Sequence, residues 1–191
     1  MVVMDEAGET AMAPSPALDA VRRRQSLSHV TEDAPSHDEL VPLVEAAGTV
    51  ADHGNLKPWR LIELRGDARV RLGDAFVAAS GESGVAKKPL RAPLLIAVVA
   101  VHEPSFKVPE WEQDAVASGV AHVLSLLLDE AGWGVIWRTG DITRAKKVAK
   151  AHGLSKDEKL MGWLYVGGKP EKSKPEKKDR FSVPAVLSTL D

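Results

Sequence analysis

Apolar positions along this chain recur with two periods, and the changes between them mark its elements. Leu18 and Val21 open a helix that runs toward Gln25. Leu40, Leu43, Val44 and Ala47 repeat at helical spacing, with Ser36 and Glu39 ahead of them as a capping-box pair and Gly48 at the end. Arg60 to Leu64 alternates with period two and predicts a strand, and Asp67 to Ala79 predicts a surface helix. The unbroken run from Leu94 to Val101, behind Pro93, predicts a strand buried on both faces. Gln113 to Ala131 predicts the longest helix, apolar nearly all round and therefore central, with Gly132 closing it. Its early positions Ala115, Ala117, Ser118, Gly119 and Ala121 are small, which lets a second helix approach closely. Val135 to Trp137 is short and apolar. Thr143 is expected to cap a helix through Ala151, Ser155 and Glu158 repeat the capping-box pattern, and Met161 to Val166 predicts a last strand. Mixed helices and strands make the domain α+β or α/β.

Residues 1–16 lack periodicity and are expected to form a mobile tail, ahead of one folded domain over 17–170. The arm 171–191 begins rich in Lys, Glu and Pro and turns apolar from Phe181 to Leu190, so its end is expected to dock on something. Of the 191 residues, 44% are hydrophobic and 27% charged, a balance that fits a folded domain. The formal charge of −2 argues against a nucleic-acid surface. With no cysteine, thiolate zinc sites, iron–sulfur clusters and Cys nucleophiles are excluded together. The histidines show no tight ligand spacing, so no protein-bound metal is expected. No apolar run approaches a bilayer span and Met1 to Thr10 has no signal-peptide pattern, so a cytoplasmic protein without membrane contact is expected.

Three segments concentrate binding chemistry. Arg22-Arg23-Arg24-Gln25-Ser26 offers cations and a hydroxyl for a phosphate, although alone it reads as a solvated basic turn. Asp52-His53-Gly54-Asn55 followed by Lys57-Pro58-Trp59 sets hydrogen-bonding groups beside an aromatic, and alone reads as a turn with a core tryptophan. Gly132 to Gly140, with Trp137, Arg138 and Thr139, is neither a dinucleotide-binding fingerprint nor a P-loop, and alone reads as a helix-to-strand connection. No GxSxG elbow or glycosidase-like carboxylate pattern is present, so a bound organic cofactor fits better than a side-chain nucleophile.

Taken in order, these segments resemble the nitroreductase family of FMN-dependent oxidoreductases, in its short bacterial members. Arg24-Gln25-Ser26 stands for the family's Arg-Arg-Ser, and Ala51 to Trp59 for its turn ending in Asn-x-Gln-Pro-Trp. Arg91-Ala92-Pro93, Lys107-Val108-Pro109-Glu110-Trp111-Glu112-Gln113, Gly132 to Gly140 and Leu164 to Gly167 follow in the family's order, so the likeness covers about Ala17 to Pro170. The resemblance implies an α+β fold with a mixed, mainly antiparallel sheet flanked by helices. It implies an intertwined homodimer with two FMN sites at the interface, Asp114 to Ala131 as the dimer-core helix, and a C-terminal arm docked on the other subunit. By position, Arg24, Gln25, Ser26, Thr49, His53, Trp137, Arg138 and Thr139 would bind FMN, with Arg138 the best phosphate candidate. Leu127, Leu128, Asp129, Glu130, Ala131 and Gly132 lie where nicotinamide contacts are assigned. Gln25 departs from the family's second Arg, and Lys57 from its Gln. The implied activity passes hydride from NAD(P)H through flavin to a nitroaromatic, quinone or similar small acceptor. The alternatives are a non-catalytic FMN-binding dimer for storage or sensing, and a structural homodimer that has lost its flavin.

Overall fold

The computed structural model describes residues 2–4, 10–12, 15–171 and 182–190. Val2–Met4 (β1) pairs antiparallel with Thr10–Met12 (β2), although no periodicity announces it. The rest of the expected tail lies outside the described residues as far as Ser15, which caps α1 (Pro16–Arg23) by accepting from Leu18 N. Arg24, at ψ 130°, ends that helix short of the expected Gln25 and leaves Arg24 to Ser26 as an extended turn. The capping box of α2 (His37–Ala47) forms as read: Ser36 Oγ accepts from Glu39 N at 3.2 Å, and the Glu39 carboxylate accepts from Ser36 N at 2.8 Å.

Next come β3 (Trp59–Leu64), α3 (Asp67–Ser80) and a 3-10 stretch over Ser83–Arg91 that the sequence did not announce. The apolar run is β4 (Leu94–Val101), buried at every position but the last. Then follow α4 (Glu110–Glu130), β5 (Trp133–Arg138), α5 (Lys146–Ala151) and β6 (Glu158–Gly168). Gly132, with φ +90°, makes the turn from α4 into β5.

The larger sheet has the order β3-β4-β6-β5, antiparallel at each pairing among the described residues. One face packs Ile96, Val98, Val135, Leu164 and Val166 against Leu40 of α2 and Val120, Leu124 and Leu128 of α4. The other packs Leu95, Val99, Leu160, Trp163 and Tyr165 against Leu72 and Phe76 of α3 and Val148 of α5. β4 therefore carries apolar side chains at every position because both its faces are covered.

Two expected caps are corrected. Thr143 is buried in a 3-10 turn, its hydroxyl donating to the Gly140 carbonyl at 2.8 Å, and α5 starts later, at Lys146. The Glu158 carboxylate does accept from Ser155 N at 2.8 Å, but Glu158 begins β6, where Arg60 of β3 binds it as well. Those bonds hold the Glu158 carboxyl below the ordinary range. At the other end, Val183–Ala185 forms a 3-10 turn, and residues 182–190 are exposed throughout. The remainder of the arm, 172–181 and 191, lies outside the described residues.

Candidate functional site

The turn Arg24–Ser26 is fixed by the strap that follows it. Leu27 N donates to Val135 O of β5 and Thr31 N to Gly168 O of β6, both at 2.9 Å, and Gly168 N donates to Asp33 O at 2.8 Å. Glycine makes this approach possible: a Cβ on Gly167 would lie 2.6 Å from the Thr31 carbonyl oxygen, and one on Gly134 2.9 Å from Val30 Cγ1. The basic turn therefore rests against β5. Strand alternation sends Trp137 and Arg138 to opposite faces there. Trp137 faces α4, its ring edge-on to His122 with centroids 5.0 Å apart. Arg138 faces the second core, its guanidinium 5.4 Å from the centre of the Tyr165 ring. Among the described residues, Trp137 Nε1 and Arg138 Nε are buried without a hydrogen-bond partner. A buried donor left unpaired costs about 1–3 kcal/mol, so both are suited to an acceptor supplied from outside the chain. Thr139 is exposed just beyond the strand.

The other predicted residues lie elsewhere. Thr49 is exposed after α2, its hydroxyl donating to Ala46 O at 2.8 Å. His53 sits in a tight loop whose Gly54, Asn55 and Lys57 all have positive φ, at 77°, 52° and 49°. The Asp52 carboxylate accepts from Lys57 N at 2.7 Å and holds that shape. Left-handed Asn and Lys are strained, and such strain collects at functional loops. His53 Nδ1 meets the Glu112 carboxylate, in the first turn of α4, at 2.9 Å. Beside it, Gln113 is buried and braces residues 103–108: its amide donates to Glu103 O and Val108 O and accepts from Glu103 N. A cleft of about 430 Å³ is lined by Val50, His53, Val108, Glu112, Ala115 and Gly119. Burial acts to raise the Asp114 carboxyl, but bonds from Lys159 and His102 outweigh it and hold the group below its ordinary range.

The predicted residues thus fall into two groups. Arg23, just before the turn Arg24 to Ser26, pairs with Glu130 at 2.9 Å and Trp137 meets His122, both on the later half of α4, while Arg138 lies on the opposite face of β5. Thr49 and His53 belong to the beginning of α4, at Glu112. At ~1.5 Å per residue, Glu112 is about 15 Å from His122 and about 27 Å from Glu130 along the axis. The nicotinamide-assigned stretch is largely occupied within the chain. Leu128 is in the core, Asp129 pairs with Lys169 at 3.0 Å and Glu130 with Arg23, while Ala131 and Gly132 are exposed. Gly134, Tyr165 and Gly167 lie in segments that the sequence marks as motifs without giving these three residues a role. Only the β5–β6 register, which pairs Ile136 with Tyr165 and Gly134 with Gly167, brings them in.

A family model described as the nitroreductase family matches residues 21–168. The chain is 33% identical over 159 residues to "Putative NAD(P)H nitroreductase YdjA" of Escherichia coli (strain K12), covering 79% of this chain and 87% of that protein. The chain belongs to the nitroreductase family. The fold of this nitroreductase-family protein matches the "Nitroreductase-like Family Protein from Bacillus cereus", with a TM-score of 0.81, 21% identity, and coverage of 94% of this chain and 98% of that one. It also matches the FMN and NADPH-dependent nitroreductase NfnB from Sphigopyxis sp. strain HMH, with a TM-score of 0.72, 17% identity, and coverage of 93% and 100%. At these identities the two structures attest the α+β architecture of the family.

Proposed function

We propose that this protein is an FMN-dependent oxidoreductase that draws on NAD(P)H, acts in the cytoplasm and works as a homodimer with two flavin sites. The observation that carries the reading is Arg138, whose buried Nε lacks a partner on the strand against which the basic turn rests. FMN, when bound, would supply two-electron hydride chemistry between a reduced nicotinamide and a nitroaromatic, quinone or similar acceptor. The chain's part is positioning. Arg24 and Arg138 neutralise the phosphate, Ser26 offers a hydroxyl, and Gln25 offers an amide where relatives carry a second charge. Thr49, His53 and the strained loop wall the site from a second copy.

The division along α4 supports the dimer. A stripe of α4 faces outward, with Trp111, Ala115 and His122 exposed and Ser118, Gly119 and Leu126 half-buried, although Gln113, Val116, Ala117, Val120, Ala121, Leu124 and Leu128 are buried. Two such helices related by a two-fold axis would bring the beginning of one to the later half of the other. The exposed Val183, Val186, Leu187 and Leu190 give the arm an apolar surface for the second subunit.

A second reading is flavin binding without turnover, favoured by Gln25 and by the ion pairs that occupy Asp129 and Glu130. The visible spectrum of protein loaded with FMN and freed of excess distinguishes them. Retained flavin bands that bleach anaerobically with NAD(P)H are expected. Retained bands that do not bleach establish the second reading, and no retained flavin overturns both.

A further inference from the structure

Arg138 ends β5 opposite Trp163, which closes the space across the strand pair. Trp163 is buried, packs edge-on to Phe76 with centroids 5.4 Å apart, and donates to His152 Nε2 at 2.9 Å. The Arg138 guanidinium lies instead over Tyr165, the diagonal neighbour on the same face. Tyr165 is opposite Ile136, one residue from the Val135 carbonyl that receives Leu27 N. The ring therefore draws the cation back along β5 to the level of Ile136, next to the residue whose carbonyl receives Leu27 N and so where the turn Arg24–Ser26 ends. Tyr165 is itself 4% exposed and fixed in the core, so it offers a rigid aromatic face rather than a mobile one. Burial pushes its hydroxyl up to about 12, against the pull of Arg138 and Arg91, so the ring stays neutral.

We propose that Tyr165 is a positioning residue of the phosphate site: its ring holds the Arg138 guanidinium toward Arg24–Ser26, and so sets the preference for FMN over riboflavin. This rests on the reading that Arg138 binds the FMN phosphate. A cation held against a ring keeps its planar fork free for bidentate contact with an anion, and ordering it in advance removes entropy that binding would otherwise lose. Tyr165 touches neither substrate nor the reacting atoms in this scheme.

The test measures dissociation constants of the full-length apoprotein for FMN and for riboflavin, which lacks the phosphate. Tyr165→Leu is expected to weaken FMN by about fivefold to tenfold and leave riboflavin within about twofold. Tyr165→Phe, which keeps the ring, is expected to stay within about twofold for both. Pentafluorophenylalanine at 165 keeps the volume but reverses the ring's electrostatics, and is expected to weaken FMN alone even if Tyr165→Leu does not fold. Equal weakening of both flavins by Tyr165→Leu would mean a packing role and overturn the proposal. So would FMN binding unmoved by the fluorinated ring, or a loss in Tyr165→Phe as large as in Tyr165→Leu. If the wild-type protein binds both flavins equally, or Arg138→Leu leaves its FMN preference intact, the phosphate reading of Arg138 fails first and takes the proposal with it.

Discussion

The two ends of α4 are built differently. At its beginning, the neighbouring loops are tied down by side chains: Gln113 spans residues 103–108, Glu112 holds His53, and Asp114 gathers His102 and Lys159. Toward its end, the neighbours are tied down by backbone, through the strap from Leu27 to Asp33 laid over glycines of β5 and β6. The first end presents a strained loop, its Asp52 carboxylate turned onto Lys57 N, beside an apolar cleft, and the other presents arginines, with the Arg138 Nε buried and unpaired among the described residues. One resembles a wall for a planar ring and the other a socket for an anion. The helix between them fixes their separation. In the proposed function neither end is a complete site, and two copies of α4 would be needed to join them.

The largest effect is expected from keeping the proposed pair of helices apart. Gly119→Arg puts a charge into the outward stripe of α4, where the nearest atoms a Cβ would meet are those of Val50, at 3.8 Å. Burying that charge unpaired at a helix–helix contact costs about 3–5 kcal/mol. Sedimentation is expected to give a folded monomer, and FMN affinity is expected to fall by roughly 100-fold or more. A dimer with normal flavin content would contradict the shared site. Arg138→Ala acts on the anion socket alone. Losing its charged hydrogen bonds is expected to weaken FMN by about 30-fold while sparing riboflavin, measured by fluorescence quenching.

Gln113→Leu acts on the other end alone. It leaves the backbone of Glu103 and Val108 short of partners and is expected to lower stability by about 3 kcal/mol in denaturant unfolding. The FMN-over-riboflavin preference should survive in whatever remains folded.

The smallest effect separates both ends from the core. His152 Nε2 accepts from Trp163, so Nδ1 carries the proton and donates to Val148 O at 2.8 Å. Burial holds its pKa below the ordinary value, against the Val148 bond, which acts to raise it. The unfolded chain therefore takes up a proton near pH ~6.5 that the folded chain refuses. Stability is full above that pH and falls as pH drops toward the depressed folded value. Melting temperature should decline by a few degrees between about pH 7 and pH 5, and His152→Gln should flatten this slope.

Much of this architecture was legible in the residues themselves. Ser36 and Glu39 cap α2 as read, because a capping box is local chemistry. The run from Leu94 to Val101 is buried on both faces; of the small early positions of α4, Ala115, Ser118 and Gly119 lie on the outward stripe, while Ala117 and Ala121 are in the core. Thr143 and Ser155 misled because the same short-range hydrogen bonds serve turns as well as helix starts, and the partner that decides, Arg60 for Glu158, is far away in sequence. For the site, the residue types were legible but their grouping was not. Spacing assigns a residue to a face or a loop. It does not say that His53 meets Glu112, 59 residues away, nor that Tyr165 underlies Arg138, which depends on strand register.

The most direct test of the shared site is a mixed dimer. A chain carrying Arg138→Ala is co-expressed with a differently tagged chain carrying His53→Glu, and flavin content is measured on the doubly purified heterodimer. If each site takes its anion socket from one copy and its loop from the other, one site collects both lesions and the other none. The heterodimer then retains about half the FMN of the wild-type dimer, although either mutant homodimer retains little. A heterodimer as empty as the two homodimers would place both groups in the same protomer and contradict the account.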